Sequence, residues 1–522
     1  MLARVNSMSV VGLEASPVEV EVDIGQGLPA LNIVGLPDKA VEESKERVRS
    51  AIKNSDAKFP MSRITVNLAP ADIKKAGPAY DLPIAVGILL ADDQLPNLVS
   101  DQKDKIKLDQ EAIFVGELSL DGRLRHINGI LPITIFAKEK GYKNIFLPEV
   151  NAPEASLIEG IKVTPVKDLK QLILHFKGEK NIKPYTRSYD FEFDNPVFAD
   201  DFAYVKGQET AKRALEIAAA GAHNVLMSGP PGSGKTLLAK SLPSILPKLS
   251  REEILEVTKI YSIAGALPPD TPLISQRPFR SPHHTASHIA LVGGGAWPKP
   301  GEITLSHRGV LFLDEFPEFP RSVLESLRQP LEDGIVTVSR AQSSLTFPAQ
   351  FILIAAQNPC PCGYITDPQK QCICTPTQIL RYQKRVSGPL LDRIDLHVEV
   401  NRVKYDKLAG DELAEKSSIV RLRVEKARQH QGRRFSKINK SRKQSVLTNS
   451  EMSPQLIKEF CVIDNQTQEL LKNAVVQYNL SARSYHRILK IARTIADLAD
   501  SDNIELGHLA EAIQYRPKEN KY

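Results

Sequence analysis

The sequence predicts an α/β protein whose central domain is built on a parallel sheet, with an α+β domain before it and a helical lid after it. The chain has 522 residues, which is longer than one hydrophobic core normally organises. Apolar strands alternate with helical segments over residues 206–400, a pattern typical of parallel sheets. A glycine-rich stretch at residues 229–236 lies between one of these strands and the helix that follows it.

The domain order follows from changes in pattern along the chain. Residues 1–175 mix short β-branched runs with helical stretches such as residues 39–54, which predicts an α+β domain. A polar, proline-containing segment at 176–205 is interpreted as a linker. The parallel-sheet domain then occupies residues 206–400. Residues 401–522 contain a basic segment and the predicted helical lid.

The composition excludes several classes of protein. Hydrophobic residues make up 42% of the chain and charged residues 25%, which is ordinary for a globular chain and excludes wholesale disorder. The net charge of +6 is mild, so a nucleic-acid interpretation depends on where the basic residues lie. Five cysteines do not make a disulfide scaffold. No secretory signal is expected, and the most apolar segment, residues 82–91, is shorter than the about 20 residues of a membrane span, so we predict a soluble cytoplasmic protein.

The glycine-rich stretch predicts a phosphate-binding loop. Its residues match G-x-x-x-x-G-K-[ST] and are Gly229, Pro230, Pro231, Gly232, Ser233, Gly234, Lys235 and Thr236. Glycines allow backbone N–H groups to turn toward phosphate oxygens, and the helix N-terminus adds a positive dipole. Lys235 would reach the β- and γ-phosphates and Thr236 would bind Mg²⁺. The sequence therefore predicts an ATP·Mg²⁺ site.

Polar residues that follow two later strands predict hydrolysis at this site. The apolar strand 309–313 ends in Asp314 and Glu315, which would hold Mg²⁺ and polarise the attacking water. A solvated acidic turn is the alternative, and the upstream phosphate loop favours catalysis. Asn358 follows the next buried strand and would orient the same water. Turn chemistry before Pro359 is its alternative explanation.

Two arginines are candidates for stabilising the transition state. Arg393 would reach the γ-phosphate of a neighbouring subunit, which implies a ring. A local ion pair with Asp392 or Asp395 is the alternative. Arg483, at the start of a helix that Ser481 would cap, is the candidate from the lid.

Four motifs resemble the ComM/YifB family of magnesium-chelatase-like AAA+ ATPases. They lie at residues 205–208, 277–284, 357–360 and 481–483. The resemblance covers nearly the whole chain and implies an AAA+ P-loop domain with a helical lid. It implies nucleotide contacts at Val205, Gly207 and Gln208, and a hexameric ring that drives branch migration of DNA in natural transformation and homologous recombination. A magnesium-chelatase-like remodeller acting on a protein partner is the alternative.

Three basic regions are candidates for contacting DNA. The long stretch between Lys235 and Asp314 leaves room for an insert, and its candidate DNA contacts are Arg277, Arg280, His283, His284, Trp297 and Lys299. A purely structural insert is the alternative. A predicted hairpin at residues 334–347 carries Arg340. Residues 426–443 hold eight basic residues and no acid, which favours phosphate contacts over a solvated loop; they are Lys426, Arg428, Arg433, Arg434, Lys437, Lys440, Arg442 and Lys443.

The N-terminal region resembles the S5-type Lon protease domain at residues 75–83, 116–122 and 141–148. That enzyme class needs a serine nucleophile and a lysine base. Ala79 and Leu131 stand at the corresponding positions, so covalent proteolysis has no nucleophile and no base there. We expect the domain to serve assembly or to guide DNA.

Four of the five cysteines form a C-x-C-x₉-C-x-C set, namely Cys360, Cys362, Cys372 and Cys374. Four thiolates can close a tetrahedral Zn²⁺ site, and such a site is structural because it leaves no open coordination position. Four reduced thiols without a metal are the alternative.

Overall fold

The chain divides into two compact units in the computed structural model. Unit 1 comprises Met1–Phe193 with Ile254–Ile274, and unit 2 comprises Asp194–Glu253 with Ser275–Tyr522. The structure describes residues 2–72, 75, 77–96, 98–101, 104–186, 198, 200–268, 271–295, 298–339, 344–367, 369–403, 413–439 and 446–517. Among the helices in these ranges, none combines the length and the apolar character needed to cross a bilayer.

Unit 1 is an α+β unit. Its elements are β1 (Leu2–Val11), β2 (Glu14–Gly25), β3 (Ala30–Val34), α1 (Lys39–Asn54), β4 (Arg63–Ala69), α2 (Asp81–Ala91), β5 (Leu98–Asp101), β6 (Asp104–Lys107), α3 (Leu108–Glu111), β7 (Ala112–Phe114), β8 (Glu117–Leu118), β9 (Leu124–Arg125), α4 (Ile130–Glu139), β10 (Asn144–Pro148), α5 (Ala152–Ala155), β11 (Lys162–Val166) and α6 (Leu169–Phe176). The main sheet has the strand order β11-β10-β7-β1-β2-β4-β3. β2 is antiparallel to β1 and β4, and the other pairings are parallel.

Local sequence explains the helices of unit 1. The predicted helix at residues 39–54 is confirmed, and it begins where the Asp38 carboxylate accepts a hydrogen bond from Val41 N at 2.9 Å. A cap of this kind contributes about 1 kcal/mol. α2 is buried at every position, which its continuous apolar sequence allows. Arg47 from α1 donates to the buried Asp81 carboxylate at 2.7 and 3.1 Å, which ties the two helices together.

The positions of the missing protease dyad are part of the fold. Leu131 is fully buried in α4, and its backbone N–H donates to Glu154 Oε1 at 2.8 Å. The Ala79 carbonyl accepts from Gly116 N at 2.9 Å. The residue predicted to stand where a protease would carry its base is thus an apolar side chain packed inside the fold.

Residues 254–274 pack within unit 1, whereas the sequence interpretation placed them in the parallel-sheet domain. Ser262 Oγ donates to the buried Glu154 carboxylate at 2.5 Å, and the Ser262 carbonyl accepts from Gly129 N at 3.2 Å. Burial raises the pKa of Glu154, and the hydrogen bonds that Ser262 Oγ and Leu131 N donate to its carboxylate offset part of that effect. The segment is held by long-range hydrogen bonds that its own sequence pattern does not reveal.

Unit 2 contains the parallel sheet and the helical lid. Its elements before the lid are α7 (Glu209–Gly221), β12 (Val225–Ser228), α8 (Lys235–Ser241), α9 (Arg251–Ala264, shared with unit 1), β13 (Phe279–Arg280), α10 (His288–Val292), β14 (Gly293–Gly294), β15 (Lys299–Pro300), α11 (Glu302–Leu305), β16 (Val310–Leu313), α12 (Arg321–Ser326), α13 (Arg328–Asp333), β17 (Ile335–Ser339), β18 (Ser344–Pro348), β19 (Ile352–Gln357), α14 (Pro376–Gln383), α15 (Gly388–Leu391) and β20 (Leu396–Glu399). The sheet order is β13-β16-β19-β12-β20 with every pairing parallel, which confirms the predicted fold class.

The lid consists of α16 (Ser417–Asn439), α17 (Pro454–Phe460), α18 (Asn465–Gln477), α19 (Ala482–Leu498) and α20 (Leu506–Gln514). Its apolar residues share one core with the sheet and α7. A buried polar link adds to this packing, because His223 contacts Asp395 Oδ2 at 3.3 Å and Thr494 Oγ1 at 2.8 Å. The sheet and the lid are thus joined by apolar packing and by hydrogen bonds.

Candidate active site

The phosphate loop lies between β12 and α8, at the carboxyl edge of the sheet. Gly232 and Gly234 have φ values of +75° and +92°, a region that favours glycine. At Gly229, an added Cβ would lie 2.0 Å from the Val400 carbonyl oxygen, so no larger residue fits. These three glycines let the backbone fold tightly enough to present its N–H groups to a phosphate.

Two side chains of the loop suit an anionic ligand. Lys235 Nζ donates to the carbonyl oxygens of Gly229 and Pro230 at 2.8 and 2.9 Å. It also donates to Asn358 Oδ1 at 3.3 Å, which brings the predicted water-orienting residue to the loop. Burial lowers the pKa of Lys235. Ser233 Oγ is buried and has no hydrogen-bond partner among the described residues, so a phosphate oxygen would satisfy it.

The two predicted Mg²⁺ ligands are already in contact. Thr236 Oγ1 donates to Asp314 Oδ2 at 2.8 Å, and Glu315 N donates to Asp314 Oδ1 at 2.9 Å. Hydroxyl and carboxylate oxygens are the ligands that Mg²⁺ prefers. Strands β16, β19 and β12 lie side by side in the parallel sheet and end at the same edge. This arrangement explains how residues distant in sequence meet here.

Glu315 has a partner that its position in the sequence does not reveal. His284 Nδ1 lies 3.0 Å from Glu315 Oε2, and the His283 ring lies against His284, tilted by 34°, with 4.1 Å between ring centroids. The sequence suggested nucleic-acid contact or simple packing for these histidines. The register of the sheet could have indicated the contact, because β13 pairs in parallel with β16, so the segments after both strands meet at one edge.

The motif at residues 205–208 holds the phosphate loop through a hydrogen bond from Gln208. Gln208 Nε2 donates to the carbonyl oxygens of Ser233 and Asn401, at 3.1 and 2.6 Å. Val205 is buried and Gly207 has a φ of +69°. Gln208 therefore positions the phosphate loop, whereas direct nucleotide contact by Val205 and Gly207 stays a prediction.

Arg393 and Arg483 contact a residue that the sequence analysis did not consider. Both guanidinium groups donate to Glu332, with Arg483 Nη2 at 2.9 Å from Oε1 and Arg393 Nη2 paired with Oε2. The hydrogen bond from Arg393 holds the pKa of the Glu332 carboxyl below its usual value. The ion-pair partner of Arg393 is therefore Glu332, and not Asp392 or Asp395 as the alternative explanation had it. The predicted cap at Ser481 is confirmed, because its side chain accepts from Ser484 N.

These two arginines line a groove of about 990 Å³ within unit 2. The described residues that line it include Glu332, Arg393, Arg483 and Lys490, and none of them belongs to the phosphate loop. The two arginines thus lie in a groove that no residue of their own chain's phosphate loop lines, which is compatible with the predicted role of Arg393 in trans.

The arginines of the predicted insert are engaged within the protein. Arg277 donates to the Pro247 and Arg308 carbonyl oxygens at 2.7 Å and pairs with Glu253 at 3.0 Å, and its side chain is 13% exposed. Breaking a buried pair costs about 3–5 kcal/mol, whereas an exposed ion pair contributes about 0–1 kcal/mol. Arg277 is therefore engaged in stabilising the fold, and its DNA contact stays a prediction.

The rest of the insert is partly described. Arg280 makes a two-pronged pair with Glu302 at 2.6 and 2.7 Å, so it too is engaged within the chain. Lys299 lies exposed on β15, which pairs with β14 as a short hairpin. Trp297 lies outside the described residues. The second predicted hairpin forms as β17 and β18, but its Arg340 also lies outside the described residues.

The basic segment at 426–443 begins as a helix, the C-terminal part of α16. Arg434 pairs with buried Asp497 at 2.5 and 3.0 Å, and Arg428 donates to the Ala219 carbonyl at 2.9 Å. The guanidinium of Arg434 is therefore engaged within the lid, and its DNA contact stays a prediction. Arg433 and Lys437 are exposed on the same helix. The predicted contacts Lys440, Arg442 and Lys443 lie outside the described residues.

The four clustered cysteines have the geometry of a metal site. Their ligand atoms all lie within 4.8 Å of one another, and Cys360 Sγ lies 3.5 Å from Cys362 Sγ and 3.8 Å from Cys372 Sγ. A tetrahedron with Zn–S bonds of about 2.3 Å has sulfur atoms about 3.8 Å apart. These distances fit tetrahedral thiolate coordination of Zn²⁺ with small shifts of the sulfur atoms.

The cysteine loop also contacts the phosphate loop. Gly363 has a φ of +83°, and an added Cβ there would lie 2.6 Å from Pro231 Cδ. A metal that fixes the cysteine loop would thus stabilise one wall of the nucleotide site.

We expect purified protein to carry about one zinc ion per chain, held by four thiolates. Replacing Cys360 and Cys372 together by serine should remove the zinc and lower the thermal midpoint of unit 2, as measured by metal analysis and calorimetry. Cys461→Ser is the matched control, because this buried cysteine lies outside the cluster, so its zinc content should match the wild type. Metal-free protein with an unchanged midpoint in the double variant would indicate four reduced thiols.

Comparison with known proteins shows which family this chain resembles. Models described as "Magnesium chelatase, subunit ChlI", "Subunit ChlI of Mg-chelatase" and "Magnesium chelatase, subunit ChlI C-terminal" match residues 201–408, 20–151 and 414–516. The competence protein ComM of Haemophilus influenzae is 43% identical over 99% of this chain and 97% of its own length. The YifB protein of Escherichia coli is 42% identical over the same shares of each chain. Lon protease 2 of Bacillus subtilis is 26% identical over 36% of this chain and 35% of that protease.

Proposed function

The chain belongs to the ComM/YifB family of magnesium-chelatase-like AAA+ proteins, and from this premise we propose that it is a Mg²⁺-dependent ATPase working as a hexameric DNA motor. Its work would be helicase action and branch migration during natural transformation and homologous recombination. The observation that carries the ATPase assignment is the contact of Thr236 with Asp314 at 2.8 Å beside Lys235 and Asn358. These side chains meet where a nucleotide's phosphates and its metal would lie.

The proposed roles follow from these contacts. ATP would displace the carbonyl oxygens that Lys235 contacts, so that its ammonium binds the β- and γ-phosphates. Thr236 and Asp314 would hold Mg²⁺, which supplies charge neutralisation when bound. Glu315 would accept a proton from the attacking water, and Asn358 would orient that water. Arg393 would serve the nucleotide of a neighbouring subunit.

The DNA assignment is supported by the relative named a competence protein and by the position of exposed basic residues. Lys299 lies on the β14–β15 hairpin, and Arg433 and Lys437 lie on one exposed side of α16. Basic side chains that are exposed and not committed to buried acids are suited to phosphate contacts. Arg340 and Lys440 stay part of this proposal as sequence predictions.

A second candidate is a chelatase-type remodeller that acts on a protein partner. It is favoured by the match to the magnesium chelatase subunit and by the internal pairing of Arg277, Arg280, Arg428 and Arg434. The two candidates share the same ATPase chemistry and differ in what stimulates it.

Turnover of ATP with and without DNA separates the two candidates. We expect single-stranded or four-way-junction DNA to raise the turnover rate, and a mobile junction to be resolved into its branch-migrated products. Lys235→Ala should abolish both activities, because it removes the ammonium that binds the phosphates. Turnover that no DNA stimulates, together with an immobile junction, would favour the remodeller.

A further inference from the structure

One carboxylate, that of Glu332, holds both arginines that are candidates for stabilising the transition state. Its two oxygens are divided between them, since Oε1 accepts from Arg483 and Oε2 pairs with Arg393. These arginines lie far apart in the sequence, one following α15 and the other in the first turn of α19. In the part of the chain that the structure describes, Glu332 is thus the acidic group that brings the two guanidinium groups together.

The guanidinium groups of both arginines have acidic partners, but part of their hydrogen-bonding capacity is still available. Arg393 Nη1 donates to the Pro389 carbonyl at 2.7 Å, while its Nε is buried without a partner among the described residues. The Glu332 side chain is 47% exposed at the edge of the groove, so solvent and an incoming anion can reach it. A γ-phosphate carries more charge than one carboxylate and offers three acceptor oxygens. It can therefore compete with Glu332 for both guanidinium groups, provided that Glu332 gives way.

Glu332 is also attached to a structure that can move it. It lies in the last turn of α13, and Gly334, with a φ of +66°, ends that helix and begins the β17–β18 hairpin. The Gly334 carbonyl accepts from Ala349 N at 2.7 Å, which closes the base of the hairpin. A displacement of β17 and β18 would therefore be transmitted to Glu332 through a short stretch of backbone.

We propose that Glu332 is a positioning residue that restrains Arg393 and Arg483 in the unstimulated subunit and releases them to the neighbour's nucleotide when the β17–β18 hairpin shifts. The inference rests on the proposed ATPase and specifies what regulates it. The restraint lowers the resting rate of hydrolysis, because the transition-state charge is stabilised only by guanidinium groups that are free to reach it.

The test compares ATP turnover without DNA in the wild type and in Glu332→Gln. We expect kcat to rise by about 5-fold or more, the lower end of typical coupling between sites, with the KM for ATP unchanged because the phosphate loop is untouched. Glu332→Asp retains the charge with a shorter reach and should give an intermediate rate. Asp333→Asn removes the neighbouring charge from the same helix end and should behave as the wild type.

The double variant Glu332→Gln with Arg393→Ala decides whether the gain acts through the arginine. We expect it to show no rise over Arg393→Ala alone. A Glu332→Gln rate at or below the wild type, or a rise that persists without Arg393, overturns the inference. Sedimentation is run in parallel, and a rise explained entirely by more assembled rings also counts against it. A wild type that DNA fails to stimulate would contradict the proposed DNA motor but not this restraint, because the readout is the rate without DNA.

Discussion

Glu315→Gln is expected to leave ATP binding intact and to lower turnover by about 10²–10⁴-fold, the usual contribution of a positioned general base. The amide keeps the size and hydrogen-bonding capacity of the side chain but cannot accept a proton from water at neutral pH. Asp314, Thr236 and Lys235 keep their contacts, since Glu315 joins them only through its backbone N–H. Binding and hydrolysis should therefore separate in this variant.

A fluorescent ATP analogue measures binding, and phosphate release measures turnover. Glu318→Gln is the matched control, because it removes a carboxylate from the turn that follows Glu315, one that pairs with Arg385 rather than facing the phosphate loop. Near-normal turnover in Glu315→Gln would contradict its role as the base. A loss of nucleotide binding in the same variant would instead assign Glu315 to the binding of Mg²⁺.

The residues of the phosphate site could be predicted because they lie in a few short segments of sequence. The glycines and Lys235 lie in one continuous motif, and Asp314 and Asn358 each follow an apolar strand. Parallel strands bring their carboxyl ends to one edge, so identifying the strands was enough to bring these residues together. The observed contacts of Thr236 with Asp314 and of Lys235 with Asn358 are consequences of that rule.

Charge pairing across long sequence separations was not predictable in the same way. The stretch at 426–443 contains no acid, yet Lys426 and His430 pair with Asp500, and Arg434 pairs with Asp497. These acids come from the end of α19 and the turn after it, and their alignment with α16 depends on how the lid helices pack. A count of local charge therefore overestimated how much of the segment is available to DNA.

The same limitation hid Glu332 from the sequence analysis. In the chain it stands in an ordinary polar helix between the proposed catalytic carboxylates and the predicted hairpin, and no motif marks it. Only the tertiary structure brings it to Arg393 and Arg483. The nearest acids in the sequence, Asp392 and Asp395, were the natural candidates, but Asp395 accepts from Asn224 N at 3.1 Å and contacts His223 instead.

Arg393→Ala is expected to lower turnover by about 10³–10⁵-fold, the contribution of an arginine supplied across an interface. ATP binding should persist, because no residue of the phosphate loop lines the groove in which Arg393 lies. Lys235→Ala should be similarly inactive for the opposite reason, since it lacks the ammonium for its own nucleotide. Each variant thus retains the half of the site that the other has lost.

Mixing the two inactive variants tests whether the site is shared between subunits. In a head-to-tail ring rebuilt from equal amounts of both, about one quarter of the interfaces combine an intact Lys235 with an intact Arg393, so about one quarter of wild-type turnover should return. A double variant carrying both substitutions, mixed with the wild type, has the same average composition and provides the control for random assembly. Turnover that stays at the level of the separate variants would mean that Arg393 serves its own chain. That result would contradict the main observation behind the proposed ring.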